Sequence, residues 1–355
     1  QGDKYRFTVL TSQMLRMEYS ETGEFEDRPT QIVWNRDFET PKFTVRDQEN
    51  CLEIDTEYFH LVYDKKEFSP NHLYIDVKYA FTNYGGRWYY GRTDYGDPAR
   101  EHNLKGTART LDRCDGEWYV GSGPLERMRT TGGKTNREDG DVDLGMGLCD
   151  TSGRTFFDDS ESLIMEEDGW VTPRKKGCVD VYFLGYGRDY FHAIHDFYRL
   201  SGAVPMLPKY VLGNWWSRYW RYSEASYMKL MEDFDKENVP FSVAVIDMDW
   251  HLVEDVDPVY GSGWTGYTWN KKFFPNPPEF MDWLHKHGYK ITLNVHPADG
   301  VRAYEEAYPR VAEKMGIDPA SKEPVLFDMT DPKFIETYFE ELHHPMEEEG
   351  VDFWW

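Results

Sequence analysis

Basic residues are scarce in this 355-residue sequence, in which 40 Lys and Arg oppose 64 Asp and Glu and leave a net charge of −24. A field of that sign repels phosphate backbones and anionic lipid headgroups, so neither nucleic acid nor a membrane surface is an expected partner. No apolar run approaches the about 20 residues that a membrane-spanning helix needs, and the N-terminal QGDKYRF lacks a signal-peptide core.

Cysteine is also sparse, and its spacing argues against disulfides and metal clusters. Cys51, Cys114, Cys149 and Cys178 stand far apart, with no Cys-x-x-Cys pair, so reduced thiols are expected. The sequence contains no Asn-X-Ser/Thr glycosylation site. These absences favour a cytoplasmic protein that uses neither a metal nor another cofactor.

Aromatic residues, in contrast, are abundant at 17% of the chain. Many rings beside many carboxylates are typical of a sugar-binding surface, since pyranose faces stack on rings while carboxylates accept hydrogen bonds from hydroxyls. An aromatic β-sandwich core has the same composition, and composition by itself favours that interpretation.

The pattern of residues 1–204 predicts an antiparallel β-sandwich with long loops. Short β-rich segments such as Cys51–Thr56 and Cys178–Leu184 alternate with turn clusters. Residues 85–150 are rich in Gly, Arg and Asp and lack periodicity, which indicates long loops. A short helix over Gly187–Arg199 closes this domain.

Residues 205–355 alternate between strands and helices, as in a (β/α)8 barrel. Four strands are predicted at 210–216, 241–250, 289–296 and 351–355, whereas a complete barrel has eight strands in roughly 250 residues. We therefore expect the first half of a barrel, with the missing half supplied by the same or a separate polypeptide.

The ends of these strands carry the polar and aromatic groups, and barrel enzymes place their active sites there. Asp247 and Asp249 are predicted to point to one face of the second strand, and Asn294 and His296 end the third. A structural acid pair bound to an Arg such as Arg218 is the alternative interpretation.

Three motifs resemble glycoside hydrolase family 31, the α-glucosidase and α-xylosidase family. Gly213 to Tyr219 matches a Gly-x-x-x-x-Arg-Tyr pattern, and Asp247-Met248-Asp249-Trp250 matches Asp-hydrophobic-Asp-aromatic, 34 residues after Gly213. The ending Val351–Trp355 is similar to the family's fourth strand and stops two residues before the family's nucleophilic Asp.

The resemblance implies a role for several side chains. Asp247 would bind a hydroxyl of the terminal sugar, and Tyr219, Met248 and Trp355 would line the wall of that subsite. His296 departs from the family pattern, in which many members have Asp, so the sugar preference is open at this position. Both catalytic aspartates would lie beyond Trp355, which leaves no catalytic residue in this chain.

The implied activity is a retaining, exo-acting α-glucosidase that hydrolyses terminal non-reducing α-linked glucose from small oligosaccharides. An α-xylosidase or an α-transglucosidase is the alternative within the same class. A non-catalytic carbohydrate-binding protein is the alternative from another class.

Two loops complete the predicted pocket. Asp158 and Asp159 follow a β-like segment and are expected to reach the sugar from the first domain. The segment Gly261–Gly266 fits Gly-x-Gly-x-x-Gly, but it does not lead into a helix, so a wall of the sugar site is favoured over a dinucleotide loop.

Overall fold

The computed structural model describes residues 1–78, 86–92, 103–106, 115–119, 137–141 and 146–355. The chain divides into two compact units, Gln1–Val204 and Pro205–Trp355. Most of the long loops predicted between residues 85 and 150, and Cys114 with them, lie outside the described residues. Cys51, Cys149 and Cys178 are free thiols.

The first unit is built from short antiparallel strands, as the period-two pattern predicted. They are β1 (Tyr5–Val9), β2 (Met14–Ser20), β3 (Phe43–Gln48), β4 (Cys51–Thr56), β5 (Phe59–Tyr63), β6 (Leu73–Val77), β7 (Arg87–Tyr89), β8 (Asp115–Tyr119), β9 (Arg137–Asp141), β10 (Thr155–Asp158), β11 (Ile164–Met165), β12 (Val171–Thr172) and β13 (Cys178–Leu184). One sheet has the order β1-β2-β13-β10 and another the order β3-β4-β5-β6-β7, while β8-β9 and β11-β12 form two-stranded sheets.

Side-chain alternation builds the core of this unit. Every second residue of β4, β5 and β6 is buried, because successive side chains point to opposite faces of a strand. Ile54, Leu61 and Ile75 from the five-stranded sheet join Met17 and Phe183 from the four-stranded sheet in one buried cluster. The two sheets therefore share a hydrophobic core.

One helix follows these strands, α1 (Tyr190–Ser201). The Asp189 side chain accepts a hydrogen bond from the His192 N–H at its start, so the helix begins three residues after the predicted Gly187.

The second unit alternates strands and helices around a parallel sheet of order β14-β15-β16-β17. Its elements are β14 (Trp215–Trp216), α2 (Glu224–Lys236), β15 (Val243–Ile246), α3 (Pro277–Lys286), β16 (Lys290–Leu293), α4 (Tyr308–Met315), α5 (Pro332–Tyr338), α6 (His344–Glu349) and β17 (Phe353–Trp354). A π turn over Phe339–His343 connects α5 to α6.

Two helices of this unit begin at residues whose side chains cap them. Ser223 accepts a hydrogen bond from the Ser226 N–H ahead of α2, and Asp331 accepts one from the Lys333 N–H with Pro332 as first helical residue.

The predicted first strand is wrong in its first half. Lys209–Leu212 forms a 3-10 turn, closed by a hydrogen bond from the Gly213 N–H to the Tyr210 carbonyl. Only Trp215 and Trp216 pair with β15, because the turn directs the preceding backbone away from the sheet.

Within the described part of the chain, we find no helix with the length and apolar character needed to cross a bilayer.

Candidate active site

The register of the parallel strands aligns three residues at the carboxyl edge of the sheet. Ile246 of β15 pairs with Leu293 of β16, and Leu293 pairs with Trp354 of β17. The next residue along each strand is therefore level with its neighbours: Asp247, Asn294 and Trp355. Ligands of open parallel sheets and barrels bind at this edge, so the row is the candidate site.

Asp247 is held through one of its two carboxylate oxygens. Its Oδ1 accepts hydrogen bonds from the Met248 N–H and from the Asn294 Nδ2, each at 2.8 Å. No described residue donates to Oδ2, and the side chain is only half-buried. The carboxylate thus has a fixed orientation and one oxygen available to a hydroxyl donor.

Asn294 is itself anchored from the other side. The fully buried Trp250 donates its indole N–H to the Asn294 carbonyl oxygen at 2.9 Å. Sequence reasoning placed Asn294 at a strand end without giving it a role. Its position one residue after β16, level with Asp247, is the signal that could have assigned one.

Asp352 shows the opposite arrangement, with both carboxylate oxygens satisfied. Lys290 Nζ donates to Oδ1 at 2.6 Å, and the Ile291 N–H and the His285 ring bond to Oδ2 at 2.9 and 2.7 Å. Burial opposes ionisation, but the bonds from Lys290 and His285 outweigh it and lower the pKa of Asp352. This acid links β16, β17 and α3, which is a structural role.

Asp249 does not share a strand face with Asp247, which corrects the expectation from sequence. β15 ends at Ile246, and Met248–Trp250 forms a 3-10 turn. The turn abolishes the strand alternation, and Asp249 pairs with Arg221 at 3.3 Å rather than with Arg218. Asp247 is therefore the acid that faces the row.

Met248, which the resemblance placed in the sugar subsite, is 3% exposed. Met248 contacts the row of Asp247, Asn294 and Trp355 through its backbone N–H, which donates a hydrogen bond to Asp247 Oδ1. A direct sugar contact by its side chain stays a prediction.

Aromatic rings follow the ends of these strands. Four of them are between 49% and 63% exposed: Tyr219, Trp220, Trp264 and Trp355. The Arg218 guanidinium lies 4.4 Å from the centre of the Trp220 ring. His296 and Trp264 are neighbours, with ring centres 4.7 Å apart. Exposed ring faces suit the stacking on pyranose rings that sugar binding requires, and Asp247 of the same unit offers a carboxylate for hydroxyl recognition.

The loop that carries Trp264 is fixed by backbone contacts. A Cβ on Gly263 would lie 1.9 Å from the Val253 carbonyl oxygen, so close packing accounts for this glycine. Arg302 donates to the carbonyl oxygens of Tyr260 and Thr265, both at 2.6 Å. The glycine pattern therefore serves loop packing and not a phosphate cradle.

Asp159 lies in an ionic cluster of the first unit. Its side chain is 0% exposed, and it accepts hydrogen bonds from Thr30 Oγ1 at 2.9 Å and from Arg174 at 2.8 Å. Burial raises the pKa of this carboxyl group. These contacts favour a structural role, and its predicted sugar contact remains a prediction. Asp158 is exposed and accepts a hydrogen bond from the Ser160 N–H.

Among the described residues, the group that is close enough to hold a metal ion belongs to α1 and not to this edge of the sheet.

Comparison with known proteins identifies the second unit. The family model "Glycosyl hydrolases family 31 TIM-barrel domain" matches residues 204–355. An α-xylosidase of Saccharolobus solfataricus is 27% identical over 132 residues, which is 37% of this chain and 16% of that protein. The α-xylosidase XylQ of Lactiplantibacillus pentosus is 25% identical over 185 residues, or 50% of this chain and 23% of that protein. Neutral α-glucosidase AB of Mus musculus is 27% identical over 168 residues, or 44% of this chain and 16% of that protein.

Solved structures of the same family share the fold. A family 31 dextranase of Flavobacterium johnsoniae, solved with isomaltotriose, has a TM-score of 0.60 at 17% identity. The superposition covers 100% of this chain and 45% of the dextranase chain. A family 31 α-xylosidase from a soil metagenome, solved with xylose, has a TM-score of 0.57 at 15% identity. Here the superposition covers 100% of this chain and 55% of the xylosidase chain. The chain thus spans about half of these structures and less than a quarter of the curated relatives above.

Proposed function

Because residues 204–355 belong to the TIM-barrel domain of glycosyl hydrolase family 31, we propose that this chain forms the sugar-binding half of a retaining, exo-acting α-glycosidase. In this proposal the first unit is a β-sandwich and the second is the first half of a (β/α)8 barrel. The second half of the barrel comes from the same or a separate polypeptide.

The observation that carries the proposal is that, among the described residues, Asp247 Oδ2 has no hydrogen-bond donor while Oδ1 has two. Its Oδ1 is held by Met248 and Asn294, so Oδ2 is presented in a fixed direction at the carboxyl edge of the sheet. A carboxylate in this position accepts a hydrogen bond from a hydroxyl of the terminal sugar. The bond strengthens as the ring distorts towards the oxocarbenium-like transition state, so it contributes more to catalysis than to ground-state binding.

The exposed rings of the second unit supply the apolar contacts in this proposal. Tyr219 and Trp355 form walls of the subsite in this proposal, and His296 beside Trp264 contacts the sugar on another side. Asp159 would join from the first unit only if its carboxylate exchanged its present partners for a sugar hydroxyl.

The chemical step needs two further carboxylates. In a retaining glycosidase one attacks the anomeric carbon, while the other protonates the leaving oxygen and then activates water, across about 5–5.5 Å. We place both after Trp355, in the second half of the barrel.

The terminal sugar is either glucose or xylose. Glucose is our first choice from the motifs, and neutral α-glucosidase AB is among the relatives. Two of the relatives are α-xylosidases, which supports xylose equally. The two sugars differ at the carbon that carries the 6-hydroxymethyl group, so the pocket around that carbon decides between them.

The test is a substitution of Asp247 in the complete protein. We expect Asp247→Asn to lower kcat/KM by about 100-fold, or about 3 kcal/mol, for the preferred one of 4-nitrophenyl α-glucoside and α-xyloside. Asparagine retains the shape and an oxygen for both internal bonds, so the thermal midpoint should change little. Asp282→Asn, an exposed acid on α3 that pairs with Lys286, is the matched control and should leave kcat/KM unchanged.

Unchanged turnover by Asp247→Asn would show that this acid is structural. A complete protein that binds α-glycosides without hydrolysing or transferring them would support the alternative, a non-catalytic carbohydrate-binding protein.

A further inference from the structure

Helix α1 presents three metal-ligating side chains on one face. His192, His195 and Asp196 occupy positions i, i+3 and i+4, which are neighbours on a helix surface. Their ligand atoms all lie within 4.8 Å of one another. The two imidazole rings are half-exposed, whereas the Asp196 carboxylate is buried beneath them.

The separations of the ligand atoms suit a shared ion. His192 Nε2 lies 3.5 Å from Asp196 Oδ2, and His195 Nδ1 lies 3.2 Å from Asp196 Oδ1. In a tetrahedral zinc site, bonds of about 2.0–2.1 Å hold neighbouring ligand atoms about 3.3 Å apart. An ion can therefore bridge the carboxylate and both rings with small side-chain adjustments.

Surrounding groups orient two of the three ligands. The Tyr186 hydroxyl donates to Asp196 Oδ2 at 2.7 Å. Asp189 Oδ2 lies 3.5 Å from Nδ1 of His192, the ring nitrogen opposite the ligand atom. A carboxylate behind a ligating histidine is the usual support of a zinc-bound imidazole.

We propose that His192, His195 and Asp196 form a zinc-binding site on the first unit. Two imidazole nitrogens and one carboxylate oxygen suit Zn²⁺, whereas Ca²⁺ and Mg²⁺ require an oxygen-rich site. Three protein ligands leave a coordination position for water. The hydrogen bond from Tyr186, which lies beyond the end of β13, ties the ligand Asp196 of α1 to that sheet. All three ligands belong to the first unit, and none of them is among the residues proposed to bind the sugar.

Arg199 provides an internal test of the electrostatics. Its Nη1 lies 3.7 Å from Asp196 Oδ1 and competes with a cation for that oxygen. Removing the guanidinium should therefore strengthen zinc binding, while removing the imidazoles should weaken it.

The experiment is a calorimetric titration of the metal-free 355-residue chain with zinc chloride. The wild type should bind one equivalent of zinc. In His192→Ala/His195→Ala the zinc affinity should fall by about 100-fold or more, because loss of even an outer-shell partner of a metal ligand lowers affinity by about 10- to 100-fold. Arg199→Gln should bind zinc several-fold more tightly. The matched control is His60→Ala/His72→Ala, since these rings pair with Glu53 and Asp64 in the same unit but belong to no group of three metal-ligating side chains among the described residues.

Thermal unfolding separates loss of the site from loss of the fold. Zinc should raise the midpoint of the wild type and of the control but not of His192→Ala/His195→Ala. Should the double variant unfold without zinc, the single variants His192→Asn and His195→Asn take its place. Equal zinc affinity and stoichiometry in wild type and in these variants would overturn the proposal.

Discussion

Three buried or half-buried acids of this chain differ in which of their carboxylate oxygens accept hydrogen bonds. Both oxygens of Asp352 are bonded by groups of β16 and α3, and Asp159 is enclosed in an ionic cluster. Asp247 has one oxygen fixed by internal donors and one without a described donor. Residue type is the same in all three, so hydrogen-bond partners decide which acid is available to a ligand.

In the proposed site, Asn294 acts through Asp247 as a positioning residue, because its Nδ2 donates to Asp247 Oδ1. Asn294→Ala removes one of the two donors to Asp247 Oδ1, so we expect kcat/KM of the complete protein to fall by about tenfold with little change in thermal midpoint. The control is Asn276→Ala. Asn276 is an exposed asparagine that contacts Glu279 at 3.4 Å, and its substitution should leave kcat/KM unchanged.

A double-mutant cycle gives the decisive readout for Asn294. Once Asp247→Ala has removed the carboxylate, adding Asn294→Ala should cost far less than it does in the wild type, because Asn294 then has no carboxylate to hold. Additive losses would mean that Asn294 contributes independently of Asp247.

At the scale of elements, the loop after β15 contains a glycine, Gly263, against which the backbone of Val253 packs directly. Gly263 approaches the Val253 carbonyl so closely that no Cβ fits, and the next residue is the exposed Trp264. Arg302 bonds to two carbonyl groups of the same loop. The loop is thus fixed from two sides, which gives Trp264 a defined position.

Gly263→Ala should disturb this element. The added methyl group forces the backbone apart, and we expect the free energy of unfolding to fall by about 2–3 kcal/mol in urea denaturation. Ser262→Ala, at the exposed neighbouring position, adds no atoms and should change it by less than about 0.5 kcal/mol. Equal stability of the two variants would show that the loop can shift to accept a side chain.

At the scale of the whole molecule, acid sensitivity follows from histidines that are buried without charge. His343 is 5% exposed, its ring lies 4.0 Å from that of Trp354, and burial lowers its pKa to about 4. Glu347 opposes this shift and His344 adds to it. His251 is also fully buried, and burial lowers its pKa to about 4.

The sign of the pH dependence follows from these lowered pKa values. Between about pH 6.5 and pH 4 the unfolded chain binds a proton at each of these histidines and the folded chain does not, so stability falls as the pH falls. The stabilisation is fully present above pH 6.5.

We therefore expect His343→Phe to make unfolding less sensitive to acid. Between pH 7 and pH 5, the variant should lose about 1–2 kcal/mol less free energy of unfolding than the wild type in urea denaturation. His251 is common to both proteins and cancels in this comparison. Parallel pH profiles would show that His343 titrates at its ordinary pKa in the folded protein.

Local patterns in the sequence determined the elements of this protein. The predicted β-rich segments Cys51–Thr56 and Cys178–Leu184 became β4 and β13, and Ser223 and Asp331 capped helices, because alternation and capping depend on residues a few positions apart. The motifs around Asp247 likewise identified the family and the acidic strand end.

Only the tertiary structure decided how the acids and histidines are used. The bond from Asn294 to Asp247 joins residues 47 positions apart and exists because β15 and β16 pair in one particular register. A 3-10 turn redirected Asp249 towards Arg221, and the partners of Asp159 come from distant segments. Such contacts depend on strand register and packing across the chain, which no local pattern encodes, so the sequence identified the site's edge and the fold selected its residues.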